Sequence, residues 1–257
     1  MRLFLLGDSF TDNLYAKHQD DLNIGKYVKK LSDLGIKPMW FSDYLEQWGY
    51  EIHNLGIAGA SNYDIVNRFA RINKNFKEGD RIIINWSSFS RHNWLDNNGE
   101  NQTVHNDATC IEDIHLRKFF VEQSIIREKS VTEGGFLATS FVPFLNYLVD
   151  VHSKYRPIVW TPFINLEEIF QDRRWFCCNI ENPIFIDKIK HRDKLIIAKE
   201  FPDLTDRHYG RYGNFYLAVL LKTVLEYGRG EYYMNDKDLL EKISHNLTNS
   251  TIPDTPL

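Results

Sequence analysis

Cysteine is scarce: three residues, Cys110 and the adjacent pair Cys177 and Cys178, with no CxxC spacing. Neighbouring cysteines rarely close a relaxed bridge, so the sequence offers no disulfide framework and no structural zinc site, and it points to a reducing compartment. Long apolar runs are missing too. None approaches the ~18 residues of a membrane helix. Neither sign of charge dominates, with 31 basic against 35 acidic residues and a net charge of −4, which argues against bulk binding to nucleic acid. Met1 to Phe10 holds one arginine and a short apolar run, too little for a cleaved signal peptide. The expectation is a cytoplasmic protein with no membrane span. Repeats and low-complexity tracts are also lacking, as are a GxSxG elbow and a glycine-rich phosphate loop with its lysine. The last two absences exclude the usual α/β-hydrolase signature and argue against a nucleotide-binding module.

What is present is a globular composition, 43% hydrophobic and 26% charged over 257 residues, sufficient for a large core without covalent staples. Short apolar runs alternate with amphipathic stretches. Arg2–Leu6, Glu51–Leu55, Arg81–Asn85 and Arg156–Thr161 read as buried strands, and Lys194–Ala198 as a weaker fifth. Helical patterns cover Trp40–Trp48, the face Ile65, Phe69 and Ile72, Leu116–Arg127, Phe141–Tyr155 and Tyr212–Tyr227, the last stopped by Gly228. Ser61 and Asp64 match a capping box before the second of these. Continuous apolar strands alternating with helices predict a three-layer α/β fold around a mostly parallel sheet. Residues 13–37 and 93–113 read as polar inserts. Residues 1–234 form the expected main domain and 235–257 a C-terminal extension. Its last stretch, from Thr248, is expected to be loose or to dock on a partner.

In such a sheet, ligands bind beyond the carboxyl ends of the strands. The segments there are Gly7-Asp8-Ser9-Phe10, Gly56 to Asn62, Trp86-Ser87-Ser88 and, before the last long helix, Asp206-Arg207-His208. They make a chemical set. A serine hydroxyl needs a base to take its proton, and His208 suits that role. Asp206, two positions earlier, can hold the far ring nitrogen, with Asp203 as a rival. The amides of Ser9 and Gly59 are candidate donors to an oxyanion. Asp8 is expected to be structural. Arg91 reads either as a solvated loop residue or as a contact for a substrate anion. His92, His105 and His115 form no compact ligand pair, so no metal is expected, and nothing calls for a cofactor.

These segments resemble the ordered blocks of the GDSL, or SGNH, serine hydrolases. Gly7-Asp8-Ser9-Phe10 is similar to the first block, Asn54 to Ser61 to the second, and Asp206-Arg207-His208 with Gly213-Asn214 to the last. The resemblance implies a flavodoxin-like α/β/α domain that hydrolyses esters. Ser9 would be the nucleophile, His208 the base, Asp206 the third triad member and Gly59 the second oxyanion donor. The substrate it suggests is an acetyl or other short acyl ester, on a carbohydrate. An acyltransferase would use the same triad. One block departs. The family's third block, Gly-x-Asn-Asp, supplies an asparagine side chain to the oxyanion hole, whereas this chain has Asn85-Trp86-Ser87-Ser88-Phe89-Ser90-Arg91. Ser88 falls where that asparagine would be, with Ser87 or Asn85 as substitutes in another register. The alternative reading is therefore a catalytically weak or inactive SGNH-fold module. It would bind or build within a larger, oligomeric assembly such as a virion. Trp86, Phe89, Trp94, Tyr209 and Tyr212 flank the proposed site, as packing residues or as a stacking platform for sugar rings.

Overall fold

The computed structural model describes residues 1–88, 91–95, 101–104, 114–132, 147, 158–162, 176–178, 180–227 and 236–253. The strands are β1 (Arg2–Leu6), β2 (Glu51–Asn54), β3 (Arg81–Asn85), β4 (His92–Leu95), β5 (Asn101–Val104), β6 (Ile158–Trp160) and β7 (Phe176–Cys178). The helices are α1 (Leu14–Lys17), α2 (Leu22–Asp33), α3 (Phe41–Gln47), α4 (Asn62–Ile72), α5 (Ile114–Thr132), α6 (Pro183–Ile186), α7 (Ile197–Glu200), α8 (Arg211–Glu226) and α9 (Lys237–Asn249). Five strands form one sheet in the order β2-β1-β3-β6-β7. Every neighbouring pair is parallel. Counting only its own strands, the sheet runs 2-1-3-4-5, the doubly wound flavodoxin-like order.

Both faces of the sheet are covered, which is why the inner strands β1, β3 and β6 are apolar runs, while the edge strand β2, Glu51-Ile52-His53-Asn54, is only partly buried. Along β1 and β3, Leu3, Leu5 and Ile83 join the main core with Phe41 of α3 and Leu217 and Leu221 of α8. Phe4 turns the other way, its ring centroid 4.7 Å from that of Phe76, which in turn lies 6.0 Å from Phe69 of α4. The result is a three-layer α/β/α sandwich. The register is level: Leu5 pairs with Asn54, Leu6 with Ile84 and Asn85 with Trp160. The carboxyl ends of β1, β2 and β3 therefore open onto one edge. At β1 the connections change direction, placing a switch point between β1 and β3.

Some expectations need correction. Lys194–Ala198 is no strand. Residues Arg192–Lys194 form a 3-10 turn and α7 begins at Ile197, so only Ile196 makes a bridge, antiparallel to Tyr209. The fifth strand is instead the three-residue β7. Residues 13–37, read as a polar insert, carry α1 and α2, which send Leu14, Tyr15, Ile24, Tyr27 and Leu31 into the core. Within 93–113 the described part is an antiparallel hairpin, β4 with β5. The helix expected over 141–155 falls outside the described residues apart from Tyr147, as do Phe89, His105 and Gly228. No helix among the described residues is long and apolar enough to cross a membrane.

Within the extension, the described helix α9 packs on the sandwich. Leu239, Ile243 and Leu247 of α9 are fully buried and belong to the main core, and Asn246 Nδ2 donates to Thr223 Oγ1 at 2.9 Å. Ile243→Ala is expected to lower the unfolding free energy by about 2–5 kcal/mol, as for other large-to-small core changes, read by urea denaturation. Unchanged stability would detach α9 from the core.

Candidate active site

The nucleophile candidate stands on the turn that leaves β1. At Gly7 a Cβ would lie 2.1 Å from Thr11 Oγ1 and 2.7 Å from Asn85 Cβ, so the chain can bend here only without a side chain. Beyond it the backbone curls: the amides of Thr11 and Asp12 donate to the Asp8 carbonyl at 3.0 and 2.9 Å, and the Phe10 amide donates to Asp8 Oδ1 at 3.0 Å. Ser9 is 8% exposed. Its Oγ lies 2.9 Å from His208 Nε2. The other ring nitrogen, Nδ1, lies 2.8 Å from Asp206 Oδ1, which also accepts the backbone N–H of His208 at 2.7 Å. A carboxylate can only accept, so Nδ1 carries the hydrogen and the Nε2 lone pair faces the serine hydroxyl. Burial alone would push the Asp206 carboxyl up. The hydrogen bonds and charge of His208 outweigh it and hold the group below its ordinary value. Asp203 is elsewhere, exposed and 3.0 Å from Lys30 Nζ.

The histidine segment is pinned by its backbone. The amides of Ile197 and Ala198, at the start of α7, donate to the carbonyls of His208 and Asp206 at 3.0 and 2.9 Å. Buried Asn214 donates from Nδ2 to the carbonyls of Tyr209 and Gly210 at 2.9 and 3.1 Å, and its Oδ1 accepts from the Phe41 amide at 3.2 Å. Tyr15 adds an O–H donor to the Tyr209 carbonyl at 3.0 Å. The Phe10 ring covers the imidazole with centroids 4.8 Å apart.

The loop after β2 supplies the second amide. Gly59 has φ +83°, left-handed backbone that suits glycine, and Ala60 N–H closes the turn onto the Ile57 carbonyl at 3.1 Å. Asp12 anchors this turn by accepting from the Ala58 amide at 3.0 Å. Burial raises the Asp12 carboxyl, but hydrogen bonds from Lys17, Ala58 and His18 prevail and lower it. Ser61 and Asp64 form the expected capping box at the start of α4. The N–H groups of Ser9 and Gly59 have no acceptor among the described residues.

No family model matches the chain, and no curated protein matches it. The site therefore rests on its own geometry.

The third-block candidates are placed differently from one another. Asn85 is fully buried, with Nδ2 turned to the Trp86 carbonyl at 3.3 Å, so its side chain is directed into the protein. Ser88 is half-buried on the loop after β3, and its carbonyl accepts from the Arg91 amide at 3.3 Å. Arg91 is neither solvated nor directed at solvent. Its side chain is 14% exposed, and Nη1 lies 3.0 Å from Asp8 Oδ2, 3.0 Å from the Ala60 carbonyl and 2.7 Å from Ser87 Oγ. Trp86, Tyr209 and Tyr212 are all buried, so they are packing residues rather than a sugar platform. Asp12, Asn62 and Asn214 carry positioning contacts that the sequence reading did not assign. Their roles depend on loops meeting, and no spacing announces that.

Proposed function

We propose that the chain is a serine ester hydrolase of the SGNH type. The observation that carries this reading is the continuous chain Ser9–His208–Asp206, at 2.9 and 2.8 Å, beside two amides without acceptors among the described residues. Ser9 Oγ attacks the ester carbonyl carbon and passes its proton to His208 Nε2. The carbonyl oxygen becomes an oxyanion, which the Ser9 and Gly59 amides receive. Asp206 stabilises the imidazolium. Collapse breaks the bond to the alcohol oxygen, and His208 returns the proton to it as the alcohol departs. Water, deprotonated by His208, then attacks the acyl-serine; the bond from the acyl carbon to Ser9 Oγ breaks, His208 returns the proton to Oγ, and the acid leaves. A sugar hydroxyl in place of that water would make the same site an acyltransferase.

The preferred substrate is an acetyl or short acyl ester of a carbohydrate. Along α4, the helix that follows the Gly59 turn, Tyr63, Asp64, Asn67, Arg68, Arg71 and Asn93 line a cavity of about 620 Å³. Its lining includes Asp64 of the capping box, to which Asn93 Nδ2 donates at 2.9 Å, but none of Ser9, Gly59 and His208.

Covalent labelling with a fluorophosphonate tests the reading. One adduct by intact mass on the wild type and none on Ser9→Ala is the expected result. A folded wild type that takes no label would sink it and favour a non-catalytic module in a larger assembly.

A further inference from the structure

We propose that Arg91 is a positioning residue for the oxyanion hole, a guanidinium that ties the turn of the nucleophile to the turn of Gly59 through Asp8, Ala60 and Ser87. The proposal rests on the hydrolase reading and deepens it. Its three acceptors come from the loops after β1, β2 and β3. Each borders a working position: Asp8 precedes Ser9, Ala60 follows Gly59, and Ser87 precedes Ser88, where the resemblance would place an asparagine. Nη1 carries two hydrogens and meets three oxygens, so at least one hydrogen is shared. The Ser87 end is fixed independently. Asn62 Oδ1 accepts from the Ser87 amide at 2.8 Å and its Nδ2 donates to the Ser87 carbonyl at 3.0 Å.

The charge matters as well as the geometry. Asp8 is 0% exposed. An uncompensated carboxylate there, one residue from the nucleophile, would oppose negative charge forming on the substrate oxygen. Arg91 cancels that field while fixing the spacing of the amides. A chain without the family's asparagine donor thus holds its remaining two donors from behind.

The test uses the full chain and p-nitrophenyl acetate as the probe ester. Fluorophosphonate labelling of wild type comes first. If folded wild type does not label, the hydrolase reading falls and this proposal with it. Given labelling, Arg91→Ala is expected to lose about 10²-fold in kcat, the scale of one oxyanion donor, with KM changed by less than about threefold. Added methylguanidinium should restore part of the rate. Wild-type kcat in folded Arg91→Ala would overturn the proposal alone. So would a loss that methylguanidinium does not restore. Should Arg91→Ala fail to fold, the double variant Asp8→Asn/Arg91→Gln removes both buried charges and keeps hydrogen-bonding groups. It should fold and lose about 10-fold in kcat, because the Asp8 field goes with its carboxylate and only the tie between the loops is weakened; wild-type turnover in it would equally overturn the proposal.

Discussion

Ser9→Ala is expected to cut kcat for a short acyl ester by at least about 10⁴-fold, with KM little changed. The change removes the atom that attacks and leaves the surroundings in place. Thr11, the next hydroxyl along the turn, is 1% exposed and cannot reach solvent-borne substrate. The Ser9 and Gly59 amides survive the substitution, so residual rate above the uncatalysed reaction is the signature of the oxyanion hole alone. Folding should suffer little. Ser9 loses one hydrogen bond to His208, about 1 kcal/mol. Turnover measured beside thermal unfolding separates the two effects. Wild-type turnover in the variant would mean that the ester is cleaved elsewhere.

Asp206→Asn is the second large effect, and the geometry sets its size. When an amide replaces a triad carboxylate, its NH₂ can turn to the imidazole and force the wrong tautomer, a loss of about 10⁴-fold. Here Asp206 Oδ1 accepts the backbone N–H of His208 and the ring Nδ1 together. An NH₂ cannot occupy that place without facing the backbone donor. The asparagine oxygen is therefore held where the carboxylate oxygen was, and the tautomer survives. What disappears is the charge that stabilises the imidazolium. The expected loss is smaller, about 10²–10³-fold in kcat, with KM unchanged. A loss of 10⁴-fold or more would show that the amide flips despite the backbone contact.

The same substitution has a stability readout. The folded carboxyl of Asp206 lies below its ordinary value. Its stabilising contribution is therefore present above the unfolded pKa, about 3.9, and is lost as pH falls through the lower folded value. Denaturation midpoints of wild type should drop over that acid window more steeply than those of Asp206→Asn.

Much of the frame was legible because buried parallel strands are unbroken aliphatic runs closed by a turn residue. Arg81–Asn85 and Arg2–Leu6 are such runs, and both are strands with those limits. Lys194–Ala198 looked similar and misled. Leu195 and Ile197 are buried against the core from a turn and a helix start, and a short apolar run has no period to tell the two apart. Phe176–Cys178 is too short to carry a signal. In α2 the exposed Lys26 and Lys29 masked a narrow stripe of Ile24, Tyr27 and Leu31. At the site, residues grouped by local sequence order were readable, and Ser9, Asp206 and His208 do meet. Arg91 and Asp12 were not readable, since each bridges turns that approach only after the sheet is built.

Ser9 and His208 touch across 199 residues of chain. During synthesis the serine precedes its proposed base by that span. Until the segment around His208 has docked against the turn after β1, Ser9 Oγ lacks the Nε2 partner. Under the proposed function, reactivity toward a fluorophosphonate would report that docking, and pulse-labelled chains should acquire it only after the segment around His208 has left the exit tunnel.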